Sequence, residues 1–560
     1  MTTGAEVVID RLIAGGVDVC FANPGTSEMH FVAALDSAPQ MRAVLCTFEG
    51  VATGAADGYA RIAGKPAATL LHLGPGMANG LANLHNARRA CSPMVNVVGD
   101  HATYHQKLDA PLQSDIESLG NWLHGTVHRP PSAAKLAPTV DAAIAAASFG
   151  RIATLVLPAD LSWSEAESDD AEAPDVPLTT REREIVRLVE QGYTTREVAE
   201  KLTISIRTVE GHMYRVTQKL GPPSQWDPGM HQPGDTDVRG AVDVLKSHGE
   251  KAVLLLGGAA TDAPGIRAAA RISAATGARA LVETFPARLA RGKGVPNIPR
   301  LGYFAEMAQE QLMGTRHLIL VGARSPVAFF AYPNMPGDLV PAGAKVHNVP
   351  PGRLEGVADS LDASEVSDPP SSLPELPTGP LRSDNWGSVI GALLPENAII
   401  SDEANTSGLL LPDATAASPP HDVLTLTGGA IGQGLPVAVG AAIAAPHRPV
   451  IALQADGSAL YTISALWTMA REQLDVTVVI LNNRAYAILQ FELTRVGASA
   501  TGPKAQSLLD LSNPDIDFVA IAEGLGVPAK RATTAEELAT HFGAALAEPG
   551  PHLIDAVLAR

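Results

Sequence analysis

The segment QADGSALYTISALWTMAREQLDVTVVILNNRAY, residues 454–486, contains the pattern that decides the fold. An apolar, strand-like run ends at Asp456 and Gly457, a helical stretch follows, and a second apolar run ends at Asn482 and Asn483. Strands joined by a helix run parallel, so both polar ends lie at the carboxyl edge of one sheet, where ligands collect. A carboxylate and an amide oxygen at that edge predict a site for a hard cation such as Mg²⁺. The alternative is an ordinary turn in which Asp456 caps the helix.

The same alternation of apolar runs, turns and helical patterns extends over most of the chain. It is typical of parallel sheets with helices on both faces. We therefore predict an α/β protein with three doubly wound parallel-sheet domains, at residues 1–163, 238–358 and 385–560. The predicted linkers are rich in Pro, Gly or acidic residues and cover residues 164–177, 222–237 and 359–384.

The composition restricts the class of protein. The chain has 560 residues, of which 46% are apolar and 18% charged, which excludes collagen, coiled coil and wholesale disorder. It has no apolar run of the roughly 20 residues that cross a bilayer, and no signal peptide pattern, so we expect a cytoplasmic protein without a membrane part. Three cysteines are too few for a disulfide framework. A net charge of −18 argues against nucleic acid as the partner of the whole surface.

Residues 454–486 resemble the signature of thiamine diphosphate (ThDP)-dependent enzymes, a Gly-Asp-Gly turn followed by an Asn-Asn pair. The match departs from the signature only at Ala455, which replaces the first glycine. The resemblance implies ThDP and Mg²⁺ as cofactors. The residues implied in binding are Asp456, Asn483 and the carbonyl of Ala485 for the cation, and Gly457 and Ser458 for the diphosphate.

A glycine-rich segment, TGGAIGQGLPVAVGAA at 427–442, resembles the family's segment beside the aminopyrimidine ring. The resemblance implies cofactor contacts at Gly429, Ile431 and Gly432, with Ile431 as the apolar side chain that holds the cofactor bent. Alone, a glycine run indicates only a close approach of backbone to another group.

The segment FEGVATGAADGYARIAGKP, residues 48–66, resembles the first-domain segment whose glutamate exchanges a proton with the cofactor's pyrimidine, which assigns that role to Glu49. The role requires a carboxyl group in an apolar pocket. The alternative is a capping or salt-bridging carboxylate. In the family the cofactor lies between the first domain of one subunit and the last domain of another, so the resemblance implies a homodimer or homotetramer.

Two members of the family share features with this chain. FANPGTSEMHF (21–31) resembles benzoylformate decarboxylase, whose active-site Ser and first His correspond to Thr26 and His72. That enzyme's second histidine has no counterpart in GARSPVAFFAYP (322–333), where Phe329 and Phe330 line a pocket or belong to the core. His72 is a candidate for proton transfer because imidazole titrates near neutral pH, and a structural His is the alternative.

LGPGMANGLANLHNARR (73–89) and the order of domains resemble acetolactate synthase large subunits. Asp100 and His101 occupy the loop where the synthase pattern has a Gln facing the cofactor. We expect decarboxylation of a 2-oxo acid with acetolactate-synthase-like carboligation, pyruvate giving acetolactate. The alternative is a benzoylformate-type decarboxylase without ligation. FAD, which authentic synthases bind, is possible but has no assigned segment.

LTTREREIVRLVEQGYTTREVAEKLTISIRTVEGHMYRVTQKLG, residues 178–221, resembles the helix-turn-helix DNA-binding domain of LuxR-type regulators. Two capping boxes, Thr179 with Glu182 and Thr194 with Glu197, predict helix starts. The span has eight Lys/Arg against six Asp/Glu, so DNA is a possible partner with weak phosphate attraction, and a domain inserted at a tolerant linker is the alternative. The residues implied to face DNA are Arg207, Thr208, Glu210, Gly211, His212 and Arg215.

Overall fold

A computed structural model describes residues 2–166, 238–331, 335–366, 372–497 and 502–559, together with positions 181, 184, 185, 188, 195–202, 204, 208 and 209. Within these ranges no helix is long and apolar enough to cross a membrane. The described strands form three sheets, which confirms the α/β class.

The first sheet has six parallel strands in the order β2-β1-β3-β4-β6-β5. Its central strands, β3, β4 and β6, are buried along their whole length and therefore consist mostly of apolar residues. The strands are β1 (Val19–Asn23), β2 (Arg42–Leu45), β3 (Ala67–Leu71), β4 (Met94–Asp100), β5 (Thr126–His128) and β6 (Ile152–Pro158). The helices are α1 (Gly4–Ala14), α2 (Met29–Ala34), α3 (Glu49–Ala63), α4 (Leu73–Arg89), α5 (Ile116–Trp122), α6 (Leu136–Ala147) and α7 (Ala159–Trp163).

The described part of the predicted helix-turn-helix span contains one helix, α8 (Thr195–Leu202). Ile185, Val198, Ala199 and Val209 are buried together, with Leu202 packed against them. The capping box Thr179–Glu182, Thr194 of the second box, and the DNA-facing residues other than Thr208 lie outside the described residues.

The second sheet has four parallel strands in the order β11-β10-β7-β8. Its strands are β7 (Ala252–Leu256), β8 (Arg279–Val282), β10 (His317–Val321) and β11 (Lys345–Val349). The helices are α9 (Val238–His248), α10 (Ala263–Thr276), α11 (Ala305–Leu312) and α12 (Leu354–Ser360).

The third sheet has seven strands in the order β16-β17-β15-β14-β12-β13-β9. Six run parallel, but β9 comes from the predicted central domain and pairs antiparallel with β13 at the edge. The strands are β9 (Leu289–Arg291), β12 (Ile399–Glu403), β13 (His421–Thr425), β14 (Val450–Ala455), β15 (Val476–Asn482), β16 (Ala529–Ala532) and β17 (His552–Val557). The helices are α13 (Trp386–Leu393), α14 (Leu411–Ala414), α15 (Gly434–Ala444), α16 (Asp456–Ala459), α17 (Ala465–Arg471), α18 (Ala487–Arg495), α19 (Pro503–Ser507), α20 (Phe518–Gly524) and α21 (Ala535–Ala547).

Helices α3 and α15 join the first and third sheets into one continuous core. They approach closely because glycines face each other's backbone: a Cβ on Gly58 would overlap the Val437 carbonyl oxygen, and one on Gly440 would overlap that of Ala55. Since Glu49 begins α3 and the glycine-rich segment leads into α15, this packing brings two predicted cofactor segments to one region.

Candidate active site

The carboxyl end of β14 presents Asp456, which is 2% exposed. Its Oδ1 accepts the Gly457 N–H at 2.8 Å, and its Oδ2 accepts the Arg484 N–H at 2.6 Å. Burial raises the pKa of Asp456, because these backbone donors offset only part of the hydration lost. The site therefore has a buried carboxylate that a cation would stabilise.

At the end of β15 the side chains of Asn482 and Asn483 have different partners. Asn482 donates to Asp555 Oδ1 at 3.0 Å on the neighbouring strand, while Asn483 Oδ1 accepts the Ala485 N–H at 2.9 Å beside the Asp456 turn. Arg484, between them, has a left-handed backbone with φ of 60°, which bends the chain so that its N–H reaches Asp456. The two strand ends thus meet at Asp456, and Asn483, not Asn482, is on the side of the site.

The turn after Asp456 is more compact than the sequence predicts. Helix α16 ends at Ala459, and α17 begins only at Ala465, instead of one helix running through both. A Cβ on Gly457 would lie 2.5 Å from the ring of Tyr486, so a larger residue there would require that ring to move. Ser458 is buried and its hydroxyl donates to the Ala455 carbonyl at 3.2 Å.

The glycine-rich segment is held from two sides. Asn86 of α4 both accepts the Ala430 N–H at 3.1 Å and donates to the Ala430 carbonyl at 2.7 Å. On the other side the Gly432 N–H donates to Glu403 Oε1 at 2.7 Å. Gly429 and Gly432 have φ values of 76° and 93°, which explains the glycines at these positions.

Glu49 is the first residue of α3 and is 5% exposed. Its Oε2 accepts from Asn79 Nδ2 at 3.0 Å, and among the described residues it has no ion-pair partner. The preceding residue, Phe48, occupies the helix cap, so Glu49 is neither a cap nor part of a salt bridge there. In the single chain, Glu49 and Asp456 share no hydrogen-bond partner among the described residues.

His72 is paired with a residue that sequence reasoning missed, Glu28. His72 Nδ1 lies 2.8 Å from Glu28 Oε2, which also accepts the Gly25 N–H at 2.8 Å. Glu28 is 3% exposed, and burial raises its pKa despite these contacts. Thr26 is exposed and begins the short 3-10 turn that ends at Glu28, so the structure joins Glu28 to His72 and places Thr26 on the adjoining turn. The only signal in the sequence was the position of Glu28, two residues after Thr26.

Asp100, in the loop that departs from the synthase pattern, forms its contacts within the first domain. Its carboxylate binds Arg129 at 2.8 Å and Gln106 at 2.9 Å, and accepts the His101 N–H at 2.7 Å. An ion-paired carboxylate at this position differs from a neutral amide facing the cofactor.

Phe329 and Phe330 are 41% and 54% exposed, so they are not core residues. The Phe329 ring lies against Gly429, where a Cβ would be 3.0 Å from it, and packs on Phe285 and Tyr303 with ring centroids 5.6 and 5.0 Å away. An aromatic surface therefore adjoins the glycine-rich segment.

Comparisons with known proteins identify the family of each part of the chain. Residues 2–125 match the thiamine pyrophosphate enzyme N-terminal TPP binding domain, residues 412–556 match the C-terminal TPP binding domain, and residues 176–227 match the bacterial regulatory proteins of the luxR family. The helix-turn-helix prediction is thereby confirmed at the level of the family.

Two curated relatives span almost the whole chain. A protein of Mycobacterium tuberculosis named "Putative acetolactate synthase large subunit IlvX" is 56% identical over 99% of both chains. A benzoylformate decarboxylase of Pseudomonas aeruginosa is 30% identical over 96% of both chains. Among solved structures, the ThDP-dependent 4-hydroxybenzoylformate decarboxylase of Rhodococcus jostii RHA1 superposes with a TM-score of 0.77 at 25% identity, covering 100% of this chain and 99% of that one. The chain belongs to the ThDP-dependent enzymes, in the group that includes acetolactate synthases and benzoylformate decarboxylases, and it contains a LuxR-family segment.

Proposed function

We propose that this protein decarboxylates a 2-oxo acid with ThDP and Mg²⁺. The observation that carries the proposal is the meeting of two strand ends at Asp456, where the Arg484 N–H reaches the carboxylate at 2.6 Å. The donors there suit a hard cation, because a carboxylate, an amide oxygen and a carbonyl oxygen are the ligands that Mg²⁺ prefers. Asp456, Asn483 and the Ala485 carbonyl would hold it.

The remaining predicted residues fit ThDP. Gly457 and Ser458 would adjoin its diphosphate. Gly429 and Gly432, whose φ values are positive, bend the backbone on both sides of Ile431, where the ring system would lie. When bound, the cofactor supplies an electron sink for the bond that breaks as CO₂ leaves.

Glu49 would exchange a proton with the pyrimidine ring of the cofactor. In the family the cofactor lies between the first domain of one subunit and the last domain of another. The proposal therefore includes a second chain that completes each site, in a homodimer or homotetramer. Exposed apolar side chains at the third-domain site, Leu409 at 68%, Leu460 at 40% and Tyr461 at 55%, provide a surface for that contact.

The pair of His72 and Glu28 favours release of the product as an aldehyde. With Nδ1 bound to Glu28, His72 Nε2 is the nitrogen available to deliver a proton to the product. Phe329 beside Gly429 favours an aryl side chain on the substrate, since aromatic rings pack well on one another. The best-supported substrate class is therefore an arylglyoxylate, the class named by two of the relatives above.

Carboligation of pyruvate to acetolactate is the second candidate. The 56% identity to the M. tuberculosis protein supports it, whereas the ion pair between Asp100 and Arg129 does not. FAD is assigned no residue and takes no part in the proposal.

Product analysis separates the candidates. Purified protein with ThDP and Mg²⁺ is incubated with benzoylformate or with pyruvate. Benzaldehyde from benzoylformate, with no acetolactate from pyruvate, supports the decarboxylase; acetolactate as the main product supports the synthase. No CO₂ from either, or from a wider panel of 2-oxo acids, would contradict both.

DNA binding by residues 178–221 is a separate candidate function, supported by the luxR-family match and by the packed core of Ile185, Val198 and Val209. Retention on a DNA column should fall steeply with salt and disappear in a variant lacking residues 178–221. The same variant should keep its decarboxylase activity. Equal retention of both proteins would contradict a DNA-binding role for this segment.

A further inference from the structure

Glu403 is a buried carboxylate that the roles assigned above do not use. It is the last residue of β12 and is 2% exposed. In the sheet it is the register partner of Gln454 on β14, so the two side chains lie side by side at the carboxyl edge.

The Glu403 carboxylate receives three hydrogen bonds. Its Oε1 accepts the Gly432 N–H at 2.7 Å, and its Oε2 accepts the Gly434 N–H at 2.6 Å and Gln454 Nε2 at 2.8 Å. Gln454 Nε2 also donates to Ser458 Oγ at 2.9 Å. One carboxylate therefore connects the glycine-rich segment to the turn that contains Asp456 and Ser458.

The contacts fix the backbone on both sides of Ile431. Ala430, before it, is bound through its N–H and its carbonyl by Asn86. Gly432, after it, is bound through its N–H by Glu403 and through its carbonyl by Thr462 Oγ1 at 2.8 Å. Since Gly432 has a φ of 93°, nothing in its own conformation would keep it there without these partners.

Burying the negative charge of Glu403 destabilises the folded chain. Burial raises the pKa of Glu403 to about 7, although three donors act in the opposite direction. A neutral amide would avoid this cost but could accept on one oxygen only, whereas the carboxylate accepts hydrogen bonds on both.

We propose that Glu403 is a positioning residue that holds Ile431 and the glycine-rich segment at a fixed place relative to the diphosphate turn. The inference rests on the proposed function for its consequence in catalysis, but the ordering of the segment does not require the cofactor. Glu403 does not touch the reacting atoms; it acts through the backbone of Gly432 and Gly434.

The test compares Glu403→Gln with Asp402→Asn. The Gln variant keeps the size of the side chain but turns one acceptor into a donor that faces N–H groups. Asp402 is the matched control, because it is the adjacent carboxyl and accepts the Ala404 N–H at 3.2 Å instead of contacting the glycine-rich segment. Amide exchange of apoprotein is measured over residues 427–436, and ThDP affinity is measured by quenching of intrinsic fluorescence.

In apoprotein, we expect Glu403→Gln to speed exchange of the segment's amides about tenfold, because a lost hydrogen bond lowers the local opening free energy. We expect ThDP affinity to weaken about tenfold, equal to about 1.4 kcal/mol, with kcat reduced and KM for the 2-oxo acid unchanged. Asp402→Asn should differ from wild type by less than about threefold in each measurement.

Unchanged exchange in Glu403→Gln, or equal changes in Asp402→Asn, would overturn the inference. If wild type binds no ThDP while exchange in Glu403→Gln still increases, the proposed function fails and the ordering role stands. If wild type binds ThDP and Glu403→Gln binds it equally well, only the inference fails.

Discussion

Glu28 and His72 form a carboxylate–imidazole pair at the position where the product would receive its proton. In Glu28→Gln the side chain can still contact His72 and the Gly25 N–H, but it no longer stabilises a protonated imidazole. We expect kcat to fall by about 10²-fold, the lower end of the range for general acid–base catalysis, with ThDP affinity unchanged. Steady-state kinetics with the cofactor at saturation measure both.

The control for Glu28→Gln is Asp141→Asn. Asp141 is also a buried carboxylate with a basic partner, Arg11 at 2.7 Å, but it lies between α6 and α1. If both variants lose the same activity, or if Glu28→Gln loses none, His72 does not depend on Glu28 for proton transfer.

The raised pKa of Glu403 predicts how the stability of the folded protein depends on pH. Its pKa is raised from 4.5 to about 7 in the folded chain, so between these values the folded state binds more protons than the unfolded state. Its contribution to stability therefore falls as the pH rises from 4.5 to about 7. Glu403→Gln lacks this dependence, so the stability of wild type relative to the variant should be greater at pH 5.5 than at pH 8. Urea unfolding of both apoproteins at the two pH values measures this difference, and an equal or opposite difference would contradict the assigned pKa direction.

Sequence reasoning could single out Asp456 and Glu49 as candidates because each lies in a recognisable local pattern. It could not identify Glu403, whose partners Gly432 and Gln454 are distant in the chain and meet only through the sheet. The family signature assigns Asn483 to the cation, but the residues alone do not show which asparagine faces the site, because alternation along β15 and the bend at Arg484 decide it.

At the scale of elements, the contact of α3 with α15 depends on glycine. A methyl group at Gly440 would overlap the Ala55 carbonyl oxygen and approach Tyr59 N, and neither backbone atom can move without shifting a helix. We expect Gly440→Ala to destabilise the protein by about 1–3 kcal/mol, the usual cost of overpacking a core. Urea denaturation midpoints measure the effect.

Gly543→Ala is the matched control, because Gly543 lies inside helix α21 with open space around its Cβ position. There alanine should stabilise the helix by about 0.5–1 kcal/mol relative to glycine. A stabilising effect of Gly440→Ala, like that of Gly543→Ala, would show that the two helices do not pack as described.

The sequence predicts the interior strands of the sheets, but it does not predict most of the edge strands. Strands β4, β14 and β15 are buried along nearly all their length and are mostly apolar. The edge strands β2 and β16 are exposed at half of their positions, so their sequences have no long apolar run. The edge strand β9 pairs with β13, which is distant from it in the sequence. No local pattern predicts such a pairing.

For the whole molecule, the proposal requires a site shared between chains. Glu49→Gln and Asp456→Asn should each be inactive as homo-oligomers. A mixed dimer purified through two affinity tags contains one site with both native residues if the site is shared, and should recover about half of the wild-type activity. No recovery in the mixed dimer would show that Glu49 and Asp456 of the same chain serve one site.

The most direct test of the central claim is CO₂ release from benzoylformate and pyruvate by wild type and by Glu49→Gln, each with ThDP and Mg²⁺ and with cofactor occupancy measured in the same samples. We predict that wild type releases CO₂ from at least one of them only when both cofactors are present, and that Glu49→Gln retains ThDP but releases none. Release without ThDP, or undiminished release by Glu49→Gln with the cofactor bound, would contradict the account.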